Sequence, residues 1–322
     1  MSEEFKPHPL LRSAHVQTLL GSRGRGIWVN RLAHSVVSAA QRVVLTSTDG
    51  VRLESWVSSN ISGAPTVILI HGWLGHADSS YVLSAAAHLW ECGFSVIRLN
   101  LRDHGATTHL NEELFHSARI REVVAAVQQL EENHATGPCG LAGFSLGGNF
   151  ALRVARARAA ADDVRPIETI AICPAINPAS TMARIDSGWV GYQLFFVRKW
   201  HRALRAKKIA FPALFEFEQA LQLRSVAALT DLFVARHTEF QSTQDYLTAY
   251  ALTGDILADT RATILYAEDD PVIPSEDFAH LPQSITRKAL SQGGHCAFID
   301  NLRQATWADR YLSAHFQREL RV

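Results

Sequence analysis

The 322-residue sequence predicts an α/β fold: a doubly wound, mostly parallel sheet with an N-terminal antiparallel hairpin and an inserted helical lid. Three observations lead there. Residues 66 to 70, TVILI, form an apolar run of strand length, as a strand covered by helices on both faces requires. Strand-like and helix-like segments alternate from that point to the C-terminus. The rhythm breaks between residues 174 and 260, a stretch too long for a single crossover helix and itself helical in pattern. Hydrophobic residues make up 47% of the chain, enough to bury a large core and to exclude disorder.

In chain order, residues 1–40 are an N-terminal prelude. Residues 41–57, QRVVLTSTDGVRLESWV, place two β-branched runs around Asp49-Gly50, a strong hairpin signal. After 66–70, further strands are expected at 94–99, 139–144, 167–173, 262–267 and 284–290, the last less apolar and so nearer an edge. Helices fit at 79–92, 117–132, 146–160 and 300–319, the last with Leu302, Trp307, Tyr311, Leu312 and Phe316 on one face. The core is therefore assigned to 41–173 and 261–322, and the lid to 174–260. No internal repeat or long Pro/Ser linker supports a second domain.

Lys and Arg total 31 against 31 Asp and Glu, so no global field favours nucleic acid, which is not expected as a partner. Cys92, Cys139, Cys173 and Cys296 show no CxxC or CxxH spacing, so neither a metal site nor a disulfide framework is expected. The start, MSEEFKPHPLLRSAHVQTLL, has no apolar h-region, and no later run approaches the roughly 18 apolar residues of a spanning helix. A cytoplasmic protein is the resulting expectation. GSRGRG at 21–26 lacks the lysine and Ser/Thr of a phosphate loop and reads as a flexible basic loop, so no nucleotide cofactor is called for. The sequence carries no signal for oligomeric state.

Gly143-Phe144-Ser145-Leu146-Gly147 is a G-x-S-x-G sequence between an expected strand and an expected helix. A sharp strand-to-helix turn there strains the serine backbone and leaves no room for side chains at the flanking glycines. Ser145 is thus the candidate nucleophile, with the helix N-terminus favouring negative charge beside it. A serine needs a base, and of the 15 histidines only His295, in Gly293-Gly294-His295, lies in a loop just past a core strand near the C-terminus. The orienting acid should follow the strand at 262–267, where Glu268, Asp269 and Asp270 are adjacent; side-chain chemistry alone does not choose among them. His71-Gly72-Trp73-Leu74-Gly75 follows the strand at 66–70, so the backbone N–H groups of Trp73 and Leu146 are assigned as the oxyanion hole. Trp73 should also wall the pocket, and His71 reads as a structural hydrogen-bonding residue.

With these segments in this order, the chain resembles the α/β-hydrolase superfamily over roughly residues 41–318, and serine, acid and histidine follow its chain order. The prelude Leu11-Arg12-Ser13-Ala14-His15-Val16-Gln17-Thr18, the extended elbow GFSLGGN at 143–149 and AEDDPVIP at 267–274 look like the YheT-like, ABHD-type (AB hydrolase 4) branch. That resemblance implies an acid four residues before Pro274, which selects Asp270. The sequence departs from the branch at Asn100-Leu101-Arg102-Asp103-His104-Gly105, where an N-R-G-type loop is usual. The His15, Gln17 and Thr18 marker is expected to wrap over a sheet edge rather than line a pocket.

The combined reading is a cofactor-independent serine hydrolase that cleaves a small or lipid-like acyl ester through an acyl-enzyme. An acyltransferase with the same three residues, or a ligand-binding protein on the same fold, are the alternatives; a haloalkane dehalogenase is disfavoured because its elbow needs Asp at position 145. In the lid, Trp189, Tyr192, Phe196, Trp200 and Leu204 recur at three- and four-residue steps, amid Arg198, Lys199, Arg202, Arg205, Lys207 and Lys208. The aromatic face is expected to pack over the site, with Trp73, Phe196 and Trp200 touching substrate and the charges forming a solvated outer surface. Contact of that face with anionic lipid is the disfavoured alternative.

Overall fold

A single eight-stranded sheet organises the computed structural model, which describes residues 4–161 and 164–320. Its strands are β1 (Ala40–Thr46), β2 (Arg52–Ser58), β3 (Thr66–Ile70), β4 (Ser95–Leu99), β5 (Cys139–Phe144), β6 (Glu168–Ile172), β7 (Ala262–Ala267) and β8 (Ile285–Leu290). The order across the sheet is β1-β2-β4-β3-β5-β6-β7-β8. β1 and β2 pair antiparallel, β2 joins β4 antiparallel, and the other pairs are parallel. The hairpin and the edge position of β8 both agree with the sequence pattern. The first three residues of the prelude and the last two of the chain lie outside the described residues.

The helices are α1 (Ala14–Leu19), α2 (Gly26–Leu32), α3 (His34–Ser38), α4 (Ser80–Glu91), α5 (Ile120–His134), α6 (Leu146–Ala159), α7 (Pro178–Ser187), α8 (Val190–Ala210), α9 (Val226–His237), α10 (Thr243–Ala249) and α11 (Trp307–Glu319). Alternation along β3 explains the layering. Val67 and Leu69 pack into a cluster with α2, α3, α4 and α11, whereas Ile68 and Ile70 pack into one with α5 and α6. All five β3 residues are buried, as the run TVILI requires. Helices α7 to α10 occupy the break between β6 and β7; α7, α8 and α9 pack into a third apolar cluster with Leu152, Ala171 and Ile264, while Tyr246 and Leu247 of α10 join the cluster of Ile68 and Ile70. Among the described residues, no helix is long and apolar enough to cross a membrane.

Three expectations need correction. The C-terminal helix starts at Trp307, because Thr306 caps Asp309 N–H while the Asp309 carboxylate accepts from Thr306 N–H; Leu302 therefore lies in the preceding loop and is exposed. The segment read as a flexible basic loop is helical: Leu20–Gly24 form a π-helical turn leading into α2, and Arg25 is buried with its guanidinium on the Leu302 and Gln304 carbonyls. Arg25 thus serves the fold's own backbone.

The prelude, lastly, is not a wrap over a sheet edge. Gln17 is fully buried; its amide donates to the Leu11 and Ile299 carbonyls (2.7 and 2.8 Å) and its Oε1 accepts from Ile299 N–H (2.7 Å). Thr18 Oγ1 accepts from the His295 N–H at 2.9 Å, and His15 Nδ1 lies 2.9 Å from the Tyr192 hydroxyl on α8. All three marker residues thus tie the prelude to the loop carrying His295 or to α8. Truncating Gln17 to alanine strands three buried backbone contacts, so Gln17→Ala is expected to destabilise the fold by roughly 3 kcal/mol in urea unfolding. A loss below about 1 kcal/mol would show that water replaces the amide at no cost.

Candidate active site

The elbow forms because β5 must turn into α6 within one residue. Ser145 adopts φ 55°, ψ −119°, a left-handed backbone held by its N–H on the Ile172 carbonyl at 2.8 Å. The flanking glycines are obligatory on steric grounds. A Cβ at Gly143 would sit 2.1 Å from the Gly147 carbonyl oxygen, and one at Gly147 would sit 2.3 Å from the carbonyl oxygens of Ile70 and His71. Ser145 thereby stands at the head of α6, where the orphan N–H groups of the first helical turn gather.

Asp270 lies just past β7, buried, with Oδ1 accepting from the N–H groups of Val272 (2.8 Å) and Ile273 (3.0 Å). Its Oδ2 faces His295 Nδ1 at 2.8 Å. Asp269 serves the same loop differently, accepting from Gly294 N–H at 2.9 Å, while Glu268 points to solvent. Burial works against a charged His295, but the Asp270 carboxylate and Cys296 outweigh it and raise its pKa well above the ordinary histidine value.

The loop after β3 is braced from three sides. Gly72 N–H donates to the Tyr81 hydroxyl (3.0 Å), Leu74 N–H donates to His104 Nε2 (3.0 Å), and His104 Nδ1 donates to the Arg102 carbonyl (2.7 Å). His71 donates from Nδ1 to the Gly72 carbonyl and accepts at Nε2 from Leu101 N–H. Burial keeps both imidazoles neutral, His104 falling to about 4. His71 is thus the structural residue its position suggested. Among the described residues, the N–H groups of Trp73 and Leu146 have no hydrogen-bond partner.

Two cavities meet at Ser145. One is mainly apolar and is lined by Leu146, Met182, Ile185, Phe196, Trp200 and Phe233 among others. The second lies under the prelude and is bordered by Thr18, Arg23, Lys199, His295 and Cys296. Trp73 and Phe196 border both; their rings stack at 5.5 Å, and Trp200 meets Trp73 edge-on at 5.1 Å. Ser145, Asp270, His295, Trp73, Leu146, Phe196 and Trp200 are thus gathered at one place.

The charges of α8 do not all face solvent as expected. Arg198, Arg202 and Arg205 do, but Lys207 is buried, with Nζ on Asp103 (2.8 Å) and on the Asn111 and Glu113 carbonyls. The Asp103 side chain is only 9% exposed, and a counter-charge there makes its ionised form tolerable. Lys199 Nζ turns inward to the Leu74 carbonyl at 2.9 Å, and burial lowers its pKa to about 8. Tyr81, His104, Gln17 and Thr18 carry no periodicity or catalytic motif that marks a bracing role. Cys173, after β6, and Cys296, beside His295, also meet here: their Sγ atoms and a ring nitrogen of His295 lie within 4.8 Å of one another. With the cysteines 123 positions apart, no spacing rule finds that cluster.

Comparison with known proteins agrees with the fold. A family model described as "Alpha/beta hydrolase family" matches residues 67–307. YheT of Escherichia coli (strain K12), which carries an esterase name, is 25% identical over 92% of this chain and 88% of its own. Mouse "Phospholipase ABHD3" is 19% identical over 85% of this chain and 70% of its own. Among solved structures, an esterase from Pyrobaculum calidifontis superposes with TM-score 0.59 at 15% identity, covering 98% of both chains. The Pyrococcus furiosus esterase Pf2001 does so with TM-score 0.54 at 18% identity, covering 87% of this chain and 92% of its own.

Proposed function

The chain belongs to the alpha/beta hydrolase family, and from that premise we propose that it is a carboxylic ester hydrolase working through Ser145, His295 and Asp270. The observation that carries this reading is the strained Ser145, which borders the same cavity as His295 while the other imidazole nitrogen of His295 is held by buried Asp270. Ser145 Oγ attacks the ester carbonyl as its proton passes to His295 Nε2. Asp270 retains the Nδ1–H and stabilises the imidazolium. The oxyanion falls to the N–H groups of Trp73 and Leu146, whose lack of internal partners leaves them free to donate. His295 then protonates the departing alcohol, and water resolves the acyl-enzyme by the same steps in reverse.

The two cavities divide the ester. The apolar one suits the acyl chain, with residues 174–260 as the lid above it and Phe196 and Trp200 against Trp73 forming its wall. In the second, Arg23 and Lys199 stand 5.2 and 5.0 Å from the Phe195 ring centre, and no carboxylate lines the cavity among the described residues. An ester with negative charge on its alcohol side fits there, in keeping with the phospholipase name of the mouse relative.

A screen of p-nitrophenyl esters and thioesters of increasing chain length, with a charged and a neutral alcohol at fixed acyl length, tests the reading. Hydrolysis of esters by wild type and not by Ser145→Ala supports it; no turnover of any ester would return the chain to a ligand-binding role. Phe196→Ala or Trp200→Ala is expected to shift the ratio of kcat/KM between short and longer esters a few-fold to tens-fold per lost contact. Arg202 and Arg205, both exposed, should leave that ratio unchanged on charge reversal. An unaltered ratio in the aromatic variants would remove α8 from the acyl site. Binding of wild type but not of the charge-reversed variant to anionic vesicles would instead make α8 a membrane face.

A further inference from the structure

We propose that Cys173, Cys296 and His295 Nε2 form a binding site for a soft divalent cation of the zinc class, and that its occupancy switches the hydrolase off. Three ligand atoms converge from two loops, all within 4.8 Å of one another, with Cys296 Sγ 3.9 Å from His295 Nε2. Around tetrahedral zinc, with metal–sulfur bonds of about 2.3 Å and metal–nitrogen bonds of about 2.0–2.1 Å, such atoms stand about 3.5–3.8 Å apart. Closure by less than about an ångström meets that geometry, and two thiolates with an imidazole are the donor set such ions prefer.

The outer shell is already built. A zinc-bound histidine almost always gives its other ring N–H to a carboxylate, and His295 Nδ1 stands 2.8 Å from Asp270 Oδ2. The arrangement that readies Nε2 to take the serine proton also readies it to bind a metal, so cation and proton compete for one lone pair. Neither Cys173 nor Cys296 bonds to substrate or moves a proton in the ester chemistry proposed above. Their thiols rest in weak contacts: Cys296 Sγ donates to the Ile172 carbonyl at 3.5 Å, and Cys173 Sγ to the Gly294 carbonyl at 3.9 Å. On binding, both S–H protons go to solvent, two sulfur–metal bonds and one nitrogen–metal bond form, and the fourth position points to the cavity that His295 and Cys296 border. That cavity also supplies the entry path. The histidine is shared with the proposed hydrolysis, so the inhibitory half of the claim rests on that reading, whereas the binding half does not.

Cadmium chloride added to reduced, chelator-treated protein tests the binding half, because cadmium thiolates absorb in the ultraviolet where free thiols do not. One cadmium per chain with that absorption is expected, and Cys173→Ala and Cys296→Ala should each weaken binding by about 100-fold or more. Zinc chloride should inhibit ester hydrolysis by wild type and leave Cys173→Ala at its own uninhibited rate. Absence of stoichiometric thiolate absorption in wild type, or its persistence in both variants, overturns the site. Thiolate absorption with undiminished hydrolysis in saturating zinc overturns the switch. If no ester is hydrolysed at all, the serine reading fails and the absorption measurement alone decides the site. A chelator should not lower activity, since the metal here opposes catalysis.

Discussion

Replacing Ser145 by alanine is expected to lower ester hydrolysis on the order of 10³-fold or more, and His295→Ala by a comparable factor, because nucleophile and base act as one unit. The expectation has a structural basis. Ser145 sits at the one left-handed position where β5 enters α6, at the head of the helix whose first N–H, that of Leu146, is free. Residual activity should come from the Trp73 and Leu146 donors and from binding alone. Thermal unfolding separates a chemical defect from a folding one: Ser145 lines the cavities rather than the core, so the melting temperature should move little. Retention of more than about a tenth of the wild-type rate with an unchanged melting curve would place the nucleophile elsewhere.

Asp270→Asn should lower kcat on the order of 10²–10⁴-fold, and Asp269→Asn far less. Asp270 Oδ1 accepts from two backbone N–H groups, so an asparagine must keep its carbonyl oxygen there and turn its NH₂ toward His295. The imidazole must then accept at Nδ1 and carry its proton on Nε2, the nitrogen that has to receive the serine proton. The Asp269 carboxylate accepts from backbone N–H groups, Gly294 N–H at 2.9 Å among them, which an asparagine oxygen accepts equally well. The pH dependence follows with its sign. Hydrolysis needs neutral His295, so kcat/KM rises with pH through the histidine pKa, and because Asp270 raises that pKa the acid limb should lie above the ordinary value of 6.5. In Asp270→Asn the limb should move to lower pH. A limb that stays put, or the reverse ranking of the two variants, would transfer the orienting role to Asp269.

The parts legible in the sequence are those whose physics is local. TVILI had to be a doubly covered strand, and G-x-S-x-G between a strand and a helix describes a turn that only glycine flanks permit, as the 2.1 and 2.3 Å clashes show. Asp270 could not be told from Asp269 and Glu268 by chemistry alone, since the distinction is which carboxylate faces the imidazole across a 25-residue gap. Tertiary pairings were invisible for the same reason. Gln17 meets Ile299, Thr18 meets His295, Lys207 meets Asp103, and Cys173 meets Cys296 at separations of about a hundred residues or more. A cation such as Lys207 looks surface-bound in a basic amphipathic stretch until its carboxylate partner is placed beside it. The late start of α11 is a different miss, because the apolar period ran on past Leu302 while the Thr306 and Asp309 capping box set the boundary.

Ser145 should form a covalent adduct in the course of turnover, and a fluorophosphonate probe with peptide mapping by mass spectrometry measures that directly. One equivalent of adduct is expected, located on Ser145 in the peptide containing Gly143 to Gly147, with loss of ester hydrolysis in proportion to labelling and no adduct in Ser145→Ala. Stoichiometric labelling at another residue, or full inhibition with Ser145 unmodified, would contradict the assignment of Ser145 as nucleophile.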